Sequence, residues 1–130
     1  MHRVPSRFFR DVRQSFEDEG WRVFVLPDGI NDEASFVRAA EAILPLYPPR
    51  PFGGRTIGSW DAFDECLWDG LLDLPERRFA ILWPDATTLA YSDSKTYGSV
   101  LHSLENVVRD LADAEATVGD PKDLAVVVAA

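Results

Sequence analysis

The sequence predicts an α/β fold, a three-stranded parallel sheet flanked by helices, and three observations carry that prediction. The strand candidates are short and almost wholly apolar: "WRVFVLP" at 21–27, "FAILW" at 79–83 and "LAVVV" at 124–128. Runs of this kind suit strands covered on both faces. Segments with helical spacing of apolar residues separate them, and strands joined through helices pair in parallel by right-handed crossovers. Finally, 130 residues sustain one hydrophobic core but hardly two.

Taken in order, residues 6–18 place Phe8, Phe9, Val12 and Phe16 at helical spacing, and Gly20 closes that helix. The first apolar strand follows and stops at Pro27 in the turn "PDG". Asn31 is a helix cap, with Asp32 and Glu33 in the first turn where the dipole favours acids. Phe36, Val37, Ala40, Ile43 and Leu44 then give one apolar face. Residues 45–58, "PLYPPRPFGGRTIG", hold four prolines and three glycines and predict a loop. A loop of that length in so small a domain suggests a functional role. Its Gly53, Gly54 and Gly58 read as turn residues. Ser59 caps a short helix that runs to about Leu72, before "DLPERR" breaks it. After the "FAILW" strand, Tyr97, Val100, Leu101, Leu104, Val107, Val108 and Leu111 define the longest helix, roughly residues 94–115. Residues 1–20 thus read as an N-terminal helical extension that packs through its Phe residues, and residues 21–130 as the α/β domain.

The formal charge of −9 narrows the function. It argues against sequence-independent nucleic-acid binding, where Lys and Arg must neutralise phosphates, and against an anionic membrane. It favours a cationic partner. Cys66 is the only cysteine, so an intramolecular disulfide is impossible, and a reducing cytoplasm is the simplest compartment. The charged N-terminus carries no secretory h-region, and no stretch approaches the length of a membrane span. A soluble cytoplasmic protein is expected.

The candidate site is "SWDAFDECLWD" at 59–69, where Asp61, Asp64, Glu65 and Asp69 stand beside Trp60 and Trp68 with no basic residue among them. Asp61 and Glu65 are neighbours on one helix turn. A glycosidase pair must flank a scissile bond, which two acids on one exposed turn do poorly. Only His2 and His102 exist, no nucleotide-binding or zinc-protease motif is present, and His102 reads as a surface or boundary residue of the long helix. Acids strung along a helix do not converge on a metal, and calcium-loop spacing is absent. The expectation is therefore no enzyme, no metal and no cofactor.

A plain solvated face remains open, with Asp61 favoured by the helix dipole and Asp64, Asp69 and Asp73 in water. Two details oppose it. Residues 56–76 hold six acids and no Lys or Arg. Trp60, Phe63, Leu67 and Leu71 can supply the buried stripe, which leaves Trp68 at the boundary, and aromatics beside charges mark interaction surfaces. Arg50 and Arg55 stand near enough in sequence to neutralise part of the helix. Cys66 reads as a small buried hydrophobe without assigned reactivity.

The motif resembles the barstar family of bacterial ribonuclease inhibitors. The matching residues are Phe52 with Gly53 or Gly54, then Trp60-Asp61-Ala62, then Glu65-Cys66-Leu67, ahead of the buried "FAILW" strand. The order strand–helix–acidic helix–strand–helix–strand matches over residues 21–129. The resemblance implies a three-stranded parallel sheet and a stoichiometric inhibitor of a small, secreted, guanyl-specific ribonuclease, whose active site is plugged by the acidic helix and preceding loop. It implies that Glu65 takes the phosphate place and that Asp61 pairs with an active-site Arg. Asp64, Trp68, Asp69 and Phe52 complete the surface, and Glu105 corresponds to an acid on the last helix. Departures are visible: Glu65 stands where the family often has Asp, and Asp64 where its best-known member has an aromatic. The loop is also longer, and residues 1–20 have no counterpart. The alternative is a module of the same fold serving another basic partner, such as a toxin of different activity.

Overall fold

The computed structural model describes residues 1–130. Four strands form one all-parallel sheet: β1 (His2–Val4), β2 (Arg22–Val25), β3 (Arg78–Trp83) and β4 (Asp123–Ala129), in the order β1-β4-β3-β2. The expected sheet of three strands is corrected to four. The additional strand, "HRV", has no apolar alternation and two exposed residues, and it joins the edge by backbone pairing with β4 from His2↔Val127 to Val4↔Ala129. Nothing in its side chains announces a strand.

Five α-helices flank the sheet: α1 (Phe9–Asp18), α2 (Glu33–Ile43), α3 (Trp60–Asp73), α4 (Ala86–Ser92) and α5 (Ser94–Ala112). The helix predicted over 6–18 opens with a 3₁₀ turn at Ser6–Phe8, and the long C-terminal helix ends at Ala112 rather than near 115. The cap of α2 sits one residue later than predicted. Asp32 accepts from the Ser35 backbone N–H at 2.7 Å, and the Ser35 hydroxyl accepts from the Asp32 N–H at 3.1 Å. This is a reciprocal capping box. The short α4 was not foreseen. No helix is long and apolar enough to cross a membrane.

Central β3 is buried from Phe79 to Trp83 without a break. Successive strand side chains point to opposite faces, so both faces of this strand are covered. Phe9 of α1 joins the core, Phe16 is half-buried, and Phe8 stays 42% exposed. α3 packs on α5, and α5 packs on β4.

Two contacts fix α3 in this frame. At Gly70 the helix meets the chain at Pro45 so closely that a Cβ would overlap the Pro45 carbonyl oxygen. One turn earlier, the Cys66 carbonyl accepts from the Tyr47 backbone N–H at 3.0 Å. The second contact is Lys122, only 4% exposed, whose ammonium donates to the carbonyls of Leu71, Leu72 and Leu74 at 3.0, 3.1 and 2.6 Å. These carbonyls belong to the end of α3 that lacks intrahelical partners and carries the negative end of the dipole.

Gly70→Ala is expected to destabilise the protein by about 1–3 kcal/mol, because the added methyl must displace backbone rather than a flexible side chain. The midpoint of urea unfolding checks it.

Candidate functional site

The acidic helix is anchored from within. Ser59 caps it by accepting from the Ala62 N–H at 3.3 Å, and Phe63, Leu67, Gly70 and Leu71 form its buried face. Phe63 lies among Phe36, Phe52 and Trp60, with centroids 5.6, 6.4 and 5.9 Å away. That cluster ties together α2, the 45–58 loop and the first turn of α3.

The outward side of α3 carries Asp61, Glu65, Asp69 and Asp73, all exposed and four residues apart. They form one row about 18 Å long at 1.5 Å per residue. None of them takes part in an ion pair, and neither Arg50 nor Arg55 neutralises the helix. Like charges at this spacing repel by a few tenths of a kcal/mol per pair.

A second row, Asp64 and Trp68, turns toward α5. Together with Asp61, Glu65, Asn106, Arg109, Asp110 and Ala116 it lines a groove of about 380 Å³. Asn106 Nδ2 donates to Asp64 Oδ2 at 3.2 Å, and Asn106 Oδ1 accepts from Arg109 Nη2 at 3.1 Å. Arg109 also stands 3.6 Å from Asp110. It is the one cation among four acids in the groove. The Trp68 indole N–H is buried and unpartnered. Burial raises the Asp64 carboxyl above the ordinary carboxylate range; Ser103 and Asn106 oppose the rise, Asp61 adds to it and His102 opposes it.

Of the residues singled out in the sequence, Asp61, Asp64, Glu65 and Trp68 come together in the groove. Asp69 lies beyond it, in a shallow hollow shared with Tyr47, Leu72 and Asp73. Phe52 turns inward, its ring stacked on Phe63. Its backbone N–H and that of Gly54 donate to the Glu41 carboxylate at 2.8 and 2.6 Å, and Ile57 N–H donates to Glu33 at 2.9 Å. These two carboxylates set the loop's shape. Glu105 is exposed and does not line the groove. Tyr47, 59% exposed, is the aromatic that stands freely beside the acids. Sequence reasoning missed Asn106 and Asp110, although their four-residue spacing follows the period of buried Val107 and Leu111 one position on.

No group of three or more His, Cys, Asp or Glu side chains converges to hold a metal ion. Burial pushes the Cys66 thiol up, with Asp69 and Glu65 adding to the shift, so it is a poor nucleophile at neutral pH. The arrangement offers a convex row of carboxylates and an acidic groove, which suit binding of cationic side chains.

Asp64 has a folded-state pKa above its ordinary value of 3.8, so its charge opposes folding. That penalty is absent below the ordinary value and complete above the raised one. Asp64→Asn is therefore expected to raise the melting temperature at pH 7, with the gain fading as pH falls through the Asp64 titration; thermal unfolding from pH 3 to 8 checks it.

Comparison with known proteins matches residues 21–119 to the family described as Barstar (barnase inhibitor). No curated protein and no solved structure matches. The matched segment runs from the residue before β2 through α5 and contains the acidic helix and its loop. The chain belongs to the barstar family.

Proposed function

We propose that this chain is an intracellular, stoichiometric inhibitor of a small secreted guanyl-specific ribonuclease, and that α3 with its preceding loop blocks the enzyme's basic active site. One observation carries the reading: Asp61, Glu65, Asp69 and Asp73 form an exposed row without a single internal ion pair. A ribonuclease gathers cations around the scissile phosphate. A rigid helix bearing carboxylates offers those cations the charge of the substrate without a bond to cleave.

Glu65 takes the phosphate place at the centre, and Asp61, one turn away, pairs with a neighbouring Arg of the enzyme. Asp64 and Trp68 line the adjoining groove, Asp69 extends the row, and Phe52 shapes the contact by bracing the loop against Phe63. On α5, Asp110 is the acid that lines the groove, and Glu105 is exposed outside it. Residues 21–130 are the inhibitory domain in this reading, and residues 1–20 an N-terminal addition. The family match covers residues 21–119, while β1 and Phe9 join residues 1–20 to the same sheet and core.

Affinity for the inhibited enzyme tests the site. Glu65→Ala and Asp61→Ala are each expected to weaken binding by about 3–5 kcal/mol, the cost of leaving one member of a buried pair alone. Asp113→Ala, an exposed acid outside the groove, is expected to change it by less than about 1 kcal/mol. Equal effects of all three would place the contact elsewhere. Retained α3 dependence toward a basic toxin that is not a ribonuclease would instead favour an immunity module of the same fold.

A further inference from the structure

The 45–58 loop carries the opposite charge to the helix it leads into. Arg50 and Arg55 lie in it, and Arg38 faces it from α2; all three are exposed. None forms an ion pair. The carboxylates that face the loop, Glu33 and Glu41, accept its backbone N–H groups instead. Arg38 and Arg50, with Glu41 and Gly54, line a hollow of about 320 Å³. Arg50 also sits at a φ of 54°. That left-handed region costs an ordinary residue roughly 1–2 kcal/mol and costs glycine almost nothing.

The loop that holds two of these cations leads directly into α3 at its cap, Ser59. Phe52, in the same loop, stacks on buried Phe63 in the first turn of α3, so the loop is braced against the start of the helix. The charge changes sign along the chain, basic before α3 and acidic on its outward side.

We infer that Arg38 and Arg50 form a second contact surface for the same partner, one that takes carboxylates bordering its basic cleft. The inference rests on the inhibitor reading and adds what the acidic row alone does not supply. A row of acids repeating once per turn presents nearly the same charge pattern after a slip of one turn, with Asp61 standing where Glu65 stood. A cationic patch at one end removes that degeneracy, because the slipped arrangement withdraws the arginines from their carboxylates. Opposite charges in fixed order select one register and one orientation.

The test turns on sign. If acidity alone drives association, removing an arginine makes the chain more acidic and binding becomes faster and tighter. If the arginines dock on carboxylates, binding becomes slower and weaker. Association rate and affinity are measured, at low and physiological salt, for Arg50→Gly and Arg38→Glu against a ribonuclease that the wild-type chain inhibits. Weakening of about 3–5-fold for Arg50→Gly and about 10-fold for Arg38→Glu is expected. Arg50→Gly keeps or raises the melting temperature, since glycine accepts the backbone conformation, so its weakening reflects a lost contact and not a lost fold. Unchanged or tighter binding by both variants, with wild-type inhibition intact, overturns this inference alone. Failure of the wild-type chain to inhibit any guanyl-specific ribonuclease overturns the inhibitor reading and this surface with it.

Discussion

Three carbonyl oxygens at the end of α3 converge on the Lys122 ammonium, and the placement of the acidic helix depends on that convergence. Lys122 is buried and pairs with no carboxylate. Its charge is balanced by the negative end of a helix dipole and by the Phe79 ring 5.5 Å away. Because Lys122 directly precedes β4, the ammonium joins the far end of the acidic helix to the sheet. Gly70 adds a steric constraint on the same turn, where only a missing side chain admits the Pro45 carbonyl. Between them these contacts leave α3 little freedom to shift, and a helix that must offer carboxylates in fixed positions gains from that rigidity.

The outer face of α3 pays for nothing within the fold. Its four aligned acids repel one another, and burial holds the Asp64 carboxyl above the ordinary carboxylate range. A core packed this completely would tolerate neutral residues along the row. The unfavourable arrangement is understandable if these carboxylates are completed by cations from outside, since strain and unpaired charge concentrate at functional sites. Arg109, held between Asn106 and Asp110, moderates the groove without filling it. The same division of labour appears in the loop, where Glu33 and Glu41 serve the backbone and leave the arginines free.

Much of this was legible in the residues. β3 and β4 declared themselves as apolar runs because covered strands bury both faces, β2 did so by composition although it lies at the sheet edge with only Phe24 buried, and α5 did so through seven apolar residues at helical spacing. β1 did not, since an edge strand of three residues depends on backbone pairing and "HRV" carries no pattern. The acidic helix was visible from its composition, and four of its residues do meet in the groove. The partners on α5 were not. Which polar positions of one helix face another is decided by tertiary packing, so Asn106 and Asp110 looked like Glu105 in the sequence. Phe52 shows the same limit: an aromatic in a proline- and glycine-rich loop gives no sign of whether it points outward or, as here, onto Phe63. The acids that shape the loop, Glu33 and Glu41, looked like ordinary helix-surface residues.

The most direct measurement is a titration of the purified chain into small guanyl-specific ribonucleases, following RNA cleavage at low and physiological salt. One-to-one loss of cleavage of at least one enzyme, with weaker inhibition at the higher salt, is the expected result if the unpaired acids of α3 find their counter-charges in a nuclease active site. Full cleavage by every enzyme in the presence of excess chain would contradict it.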